Sequence, residues 1–200
     1  MMTGSSCKWI MSITLTAALL AGCSRSPRVT FYTLNVSGTA ETAPFADESV
    51  SIGPVTLPDL LDRPQLVVRT SATKVAILET HRWAESLRSE IPRVISGNLA
   101  GMIKPARVAT WQQSSGADAH YRILIDIQRL ELTDGKGVVL EALWSIRTVD
   151  GVVVQRGRSE VNQPVAASGY DALVAAQSQA LSAVSRDLAA ALRTVAVPAD

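Results

Sequence analysis

Few side chains in this 200-residue sequence combine the type and spacing that catalysis or metal binding requires. The two histidines, His81 and His120, belong to neither a His-x-x-x-His nor a His-Glu-x-x-His spacing, so they read as surface or strand-end residues. Asp59 and Asp62 lie three apart and could pair as acid and base, but Pro58 and Pro64 flank them and favour a turn-stabilising role. Ser114-Ser115-Gly116 and Ser168-Gly169 lack the Gly-x-Ser-x-Gly elbow that exposes a serine nucleophile, and both read as loops. No Gly-x-x-x-x-Gly-Lys-[Ser/Thr] occurs, so the chain does not hydrolyse nucleotides through a P-loop. Both cysteines, Cys7 and Cys23, fall in the first 23 residues, and the other 177 hold none. Disulfide scaffolds, Cys-based zinc sites and cysteine nucleophiles are thereby removed. The expectation is a non-catalytic protein without a metal.

What remains chemically distinctive is Cys23 in its setting. Lys8 is the only charge before Arg25, and it precedes an apolar run of twelve residues from Trp9 to Leu20. A bilayer-spanning helix needs about 20 apolar residues, whereas a secretory signal core needs only about 7–15 after a positive start. The run therefore reads as a signal peptide. Leu20-Ala21-Gly22-Cys23 follows it and resembles the bacterial lipobox, the bland alternative being an ordinary secretory signal with a chance cysteine. The resemblance implies cleavage before Cys23, a covalent lipid on its thiol as the only attached group, and no further cofactor. Residues 1–22 are then the signal, 23–28 a lipidated tether and 29–200 a single domain. Two or three acyl chains, at roughly 0.8 kcal/mol per buried methylene, hold such a protein on a membrane. Ser24 stands where an Asp usually marks inner-membrane retention, which implies the periplasmic face of the outer membrane.

Composition agrees with one globular domain: 47% of residues are hydrophobic and 18% charged. Nineteen Lys and Arg against eighteen Asp and Glu give +1, so no whole-chain field favours nucleic acid. Alternation predicts a strand over 29–36, a loop over 37–47, and strands over 49–55, 65–69 and 74–79, the last two forming a hairpin. Residues 58–64, bounded by prolines, can form at most a turn or a single helical turn. Trp83, Leu87, Ile91, Val94, Ile95, Leu99 and Met102 recur at helical spacing, predicting a helix over 82–104 that Pro92 either kinks or splits. Arg82, Arg88 and Arg93 then form its solvated face, or a contact to an acidic partner. A strand over 106–112 follows. Asp134-Gly135 and Asp150-Gly151 divide residues 120–162 into a three-stranded antiparallel meander. Ser168 and Asp171 suggest the start of a last helix, striped by Tyr170, Leu173, Val174, Leu181, Val184, Leu188, Leu192 and Val195. The order argues for an α+β fold, a mostly antiparallel sheet with two main helices on one face.

Several blocks carry a wider resemblance: Phe31-Tyr32-Thr33-Leu34, then Ile52-Gly53-Pro54-Val55, then Pro58-x-Leu60-Leu61-Asp62-Arg63-Pro64-Gln65-Leu66-Val67-x-Arg69, then His81-Arg82-Trp83-Ala84-Glu85. With the lipobox, they resemble the auxiliary lipoproteins of ABC-type transport systems, the PqiC/YmbA-like family. Ser86 stands where proline is common, and Leu61 follows Leu60 where the family often has an aromatic first. The resemblance implies a non-catalytic component of an MCE-type intermembrane lipid transport system. Its partners would be an MCE-domain substrate-binding protein and an inner-membrane permease and ATPase. It leaves open lipid cargo and association into a homo-oligomer. The surface expected to meet the partners comprises Pro58, Leu60, Leu61, Asp62, Arg63, Arg69, Arg82 and Trp83, unless both leucines plug the core. An envelope structural lipoprotein that handles no lipid is the alternative. A lipid-anchored hydrolase is disfavoured by the missing catalytic constellation.

Overall fold

A computed structural model describes residues 27–37, 43–44, 48–104 and 106–196. The expected signal segment and Cys23 lie outside the described residues. Among the described residues no helix is long and apolar enough to cross a membrane.

Eight strands form one sheet: β1 (Thr30–Tyr32), β3 (Ser49–Thr56), β4 (Gln65–Ser71), β5 (Lys74–Trp83), β7 (Arg107–Thr110), β8 (Tyr121–Thr133), β9 (Gly137–Thr148) and β10 (Val153–Pro164). Two short strands, β2 (Ala43–Pro44) and β6 (Ile103–Lys104), pair apart from it. The helices are α1 (Leu87–Met102) and α2 (Tyr170–Ala196). The fold is α+β. Its long ladders are antiparallel, namely the β4–β5 hairpin and the β8–β9–β10 meander. Gly135 and Gly151, at φ +67° and +81°, make the two meander turns as the Asp-Gly pairs predict. Parallel pairings of β8 with β3 and β4, of β3 with β7, and of β1 with β5 join these units.

One face of the sheet carries Ile52, Ile123, Ile125, Ile127, Leu140 and Ile146, each almost fully buried, and meets Ile95 and Leu99 of α1 and Leu181 and Leu188 of α2 in a single core. The other face is open. Trp144 of β9 lies across Gly157, its cross-strand partner on β10, where a Cβ would sit 2.2 Å from the ring. Its indole N–H donates to Ser159 Oγ at 3.2 Å, and that hydroxyl donates to Asp187 of α2 at 2.6 Å. Sheet and helix are thereby tied through a polar link that runs from the buried Trp144 and Ser159 out to the exposed Asp187.

Three expected boundaries differ. The helix foreseen from Arg82 begins at Leu87, because pairing with β1 and β4 draws His81, Arg82 and Trp83 into β5. The helix then runs unbroken through Pro92. That proline sits in its second turn, so the bond it cannot make would go to the carbonyl of Arg88, an exposed first-turn residue. The strand foreseen over 29–36 pairs only at Thr30–Tyr32. Gly169, at φ +108°, rather than Ser168, opens α2, its carbonyl accepting the Leu173 N–H and its N–H donating to the Asp134 carboxylate at 2.8 Å.

Candidate functional site: a proline-bounded loop at a fork in the sheet

β8 carries β9 along one edge and two strands in succession along the other. β3 pairs with it from Tyr121 to Asp126, and β4 joins at Leu132. Between those points, among the described residues, this edge pairs with neither strand. The loop over residues 57–64, which connects β3 to β4, occupies the fork. Leu61 N–H donates to the Pro58 carbonyl at 2.8 Å, closing the turn expected from the flanking prolines. Leu61, 8% exposed, drops into the seam against Val67, Trp83, Leu87, Leu130 and Leu132. Leu60, its neighbour, is 39% exposed. The two leucines thus divide the alternatives, one plugging the core and one facing out.

The other expected site residues are mostly engaged within the domain. Asp62 accepts from Arg88 at 2.6 Å, which fastens the loop to α1. Arg63 Nε donates to the Leu60 carbonyl at 2.8 Å. The Pro64 carbonyl accepts the Trp83 N–H at 2.7 Å, and Trp83 is a core residue, 5% exposed, with no share in the surface. Arg82 folds back onto the Glu79 carbonyl at 2.9 Å. The arginines foreseen as one helix face are thus dispersed over β5 and α1, and Arg93 is drawn into a different task.

Outside Leu61, the fork opens as a cleft of ≈ 130 Å³ rimmed by Pro58, Leu60, Val75 and Arg69, with Arg129 and Glu131 of β8 beside them. That volume is below the roughly 300–1,000 Å³ of ligand pockets. It suits one inserted side chain of a partner. Val75, Arg129 and Glu131 were not foreseen. The signal was nonetheless present: apolar positions in β8 run Ile123, Ile125, Ile127, then Leu130, Leu132. The switch from odd to even marks a β-bulge, and the ladder with β9 does shift between Ile127 and Arg129. It turns Arg129 and Glu131 to the open face.

There they belong to an ionic ladder across four strands. Arg69 meets Glu131 at 2.6 Å, Glu131 meets Arg129 at 2.7 Å, Arg129 meets Glu141 at 3.3 Å, Glu141 meets Arg158 at 2.8 Å, and Arg158 meets Glu160 at 2.6 Å. The guanidinium of Arg129, with that of Arg69, holds the Glu131 carboxyl below its ordinary value of 4.5, against the opposing effect of burial. Three arginines and three glutamates cancel, so this end of the face is polar without net charge.

A second feature concerns the chain that leads in from Cys23. Beyond β1, Leu34 to Ser37 lie over the two helices, strapped by side chains. Leu34 is bracketed by the Glu90–Arg93 pair of α1, and the Asn35 N–H donates to Ser178 Oγ of α2 at 3.1 Å. The Ser37 N–H donates to Asn98 Oδ1 at 3.0 Å, and its hydroxyl to the Ser178 carbonyl. His81, in β5 beside β1, accepts or donates at Nδ1 with the Tyr32 hydroxyl at 2.8 Å, and its ring lies 4.4 Å from that of Tyr170. Burial, with Asp171 and Tyr170 nearby, pushes the Tyr32 phenol up. His120 holds Ser49 through Nδ1, accepting its N–H at 3.2 Å. Neither histidine has metal-ligating company among the described residues.

The model of the ABC-type transport auxiliary lipoprotein component matches residues 32–189. The chain belongs to that family. Within it, the chain is 28% identical over 173 residues to the intermembrane transport lipoprotein PqiC of Escherichia coli K12, covering 84% of this chain and 87% of that one, and equally to the PqiC of Shigella flexneri. Two crystal structures share the fold of this auxiliary lipoprotein. One, a protein of Xanthomonas campestris, superposes with a TM-score of 0.66 at 19% identity over 84% of this chain and 95% of that one. The other, an uncharacterized protein, gives 0.65 at 21% identity over 82% and 98%. The matched span runs from the end of β1 to within α2, and so includes the fork and the helix strap.

Proposed function

We propose that this auxiliary lipoprotein serves an intermembrane lipid transport system as a non-catalytic adaptor, acylated on Cys23 and held at the periplasmic face of the outer membrane. There it docks the distal end of an assembly made of an MCE-domain protein and an inner-membrane permease and ATPase. Family membership and the likeness to PqiC support the transport role, and the Leu-Ala-Gly-Cys motif supports the anchor.

The observation that carries the docking surface is the exposure of Leu60 on the rim of the cleft, beside a buried Leu61 and a loop tied to α1 through Asp62. A loop held by Asp62–Arg88, by the Arg63–Leu60 contact and by Leu61 is rigid enough to present one apolar side chain at little entropic cost on binding. Val75 extends the apolar rim, and the neutral ladder beside it supplies a polar border of the kind found around interface cores.

Photocrosslinking from position 60 in intact cells tests the reading. Capture of the MCE-domain protein from position 60, and none from the exposed position Arg186 on α2, supports it. Equal capture from both positions, or none at either, contradicts it.

A further inference from the structure

The ionic ladder covers only one end of the open face. Near the start of β8 three arginines share that face, none of them in an ion pair among the described residues: Arg122 on β8, Arg147 on β9 and Arg156 on β10. Arg122 and Arg147 are direct cross-strand partners, an arrangement in which like charges repel. Arg156 faces Ser145 and so stands diagonal to Arg147. Among the described residues Arg122 reaches only the Ala117 carbonyl, at 3.5 Å. The Nε of Arg147 is shielded from solvent and has no hydrogen-bond partner among the described residues. Arg156 makes no ion pair among the described residues. Every arginine of the ladder, by contrast, meets a glutamate at 3.3 Å or less.

Arg156 also borders a groove of ≈ 360 Å³ floored by Pro54, Leu124 and Leu143. The single carboxylate on its wall, Asp126, accepts from the Thr56 hydroxyl at 2.5 Å and the Gln128 amide at 2.7 Å, neutral donors that fix its position toward β3 and leave its charge in place. Three guanidiniums against one carboxylate leave this end of the face net positive beside an apolar floor. A simple anion would satisfy the arginines and leave the floor wet, and a neutral hydrocarbon would cover the floor and leave the repulsion.

We propose that this end of the sheet binds an anionic phospholipid, its phosphodiester on Arg122, Arg147 and Arg156 and the first methylenes of a chain over Leu124 and Leu143. Guanidinium forks match phosphate oxygens in paired hydrogen bonds. The groove lies at the low end of the ligand-pocket range, enough for a headgroup and the top of a chain, and its open side leaves the remaining chain to a neighbouring apolar surface. Registers place the site away from the point where the described chain joins the sheet. The chain enters at Thr30 beside His81, level with the Leu130 region of β8, so about eight residues, roughly 26 Å, separate that level from Arg122. The assignment rests on the transport reading for its cellular meaning, while binding itself is measurable on the isolated protein.

The test is native mass spectrometry of the purified full-length protein in a non-ionic detergent, titrated with dihexanoyl phosphatidylglycerol. Dihexanoyl phosphatidylcholine and inorganic phosphate are the comparisons. The expected result is saturable binding of phosphatidylglycerol, weakened about tenfold in R122Q/R156Q and in L143D. R156Q alone, altering one exposed side chain without an ion pair, keeps the test open should the double variant not fold, and is expected to weaken binding about threefold. Three results overturn the proposal: undiminished binding by the folded variants, equal binding of phosphatidylcholine, or displacement by inorganic phosphate at equal concentration. Failure of the anchor or of the docking reading leaves each of these readouts unchanged.

Discussion

Glu90, 2% exposed, accepts the backbone N–H of Leu34 at 2.8 Å, while Arg93, paired to the same carboxylate at 2.8 Å, donates to the Leu34 carbonyl at 2.8 Å. One turn of α1 therefore satisfies both backbone polar groups of a residue eleven positions beyond Cys23. Force applied from the N-terminal side would meet the pairing of β1 with β5 first and this helix strap next, rather than a loose terminus.

Removing that carboxylate leaves a buried N–H without an acceptor, at a cost of about 1–3 kcal/mol. Glu90→Ala is expected to lower unfolding free energy by about that amount in urea. It also makes the chain preceding α1 sensitive to limited proteolysis. Glu90→Gln, which retains an acceptor oxygen, is expected to cost less. Equal stability of wild type and Glu90→Ala would show the strap to be dispensable.

Much of this architecture is legible in the sequence, and the exceptions have physical causes. The β8–β9–β10 meander is plain because alternation, interrupted once in β8 at its bulge, and two Asp-Gly turns state the same answer at two levels. The strap is not, since Leu34 to Ser37 continue a β-like pattern while their hydrogen bonds go to side chains of Glu90, Asn98 and Ser178, distant in the chain. His81 to Trp83 read as helix by spacing, yet strands on both sides claim them, and tertiary pairing overrides the local period. At the loop, adjacent Leu60 and Leu61 are chemically identical, so only the fork in the sheet decides which is buried.

The two leucines consequently separate folding from docking. Leu61→Ser is expected to destabilise the domain by about 2–5 kcal/mol, as for truncation of other buried leucines. Leu60→Ser is expected to change stability by no more than about 0.5 kcal/mol while weakening partner capture. Paired denaturation and crosslinking assays check both, and the reverse ranking would place the wrong leucine in the seam.

Gly157 is needed beneath the Trp144 ring, where a methyl group has no room. Gly157→Ala is expected to cost about 1–3 kcal/mol by overpacking. A red shift in tryptophan emission should accompany it as the ring is lifted toward water. An unchanged melting temperature and emission maximum would contradict this packing.

The ionic ladder gives a pH dependence with a defined sign. The carboxyl of Glu131 is lowered in the folded state, so between the folded and unfolded values the unfolded chain binds more protons. Its contribution is fully present above the ordinary value of 4.5 and is lost as pH falls through the folded value. The stability difference between wild type and Glu131→Gln, measured across acid pH, should be constant near neutrality and shrink below that ordinary value. A difference that grows on acidification would reverse the sign and refute the assignment.

The central claim is that a lipid on Cys23 holds this adaptor at the outer membrane. Metabolic labelling with an alkyne palmitate, followed by membrane fractionation of cells expressing wild type or Cys23→Ser, addresses it most directly. Label on the wild-type chain in the outer-membrane fraction, absent from Cys23→Ser together with loss from that fraction, is the predicted result. An unlabelled wild-type chain recovered in the soluble periplasm would contradict the account.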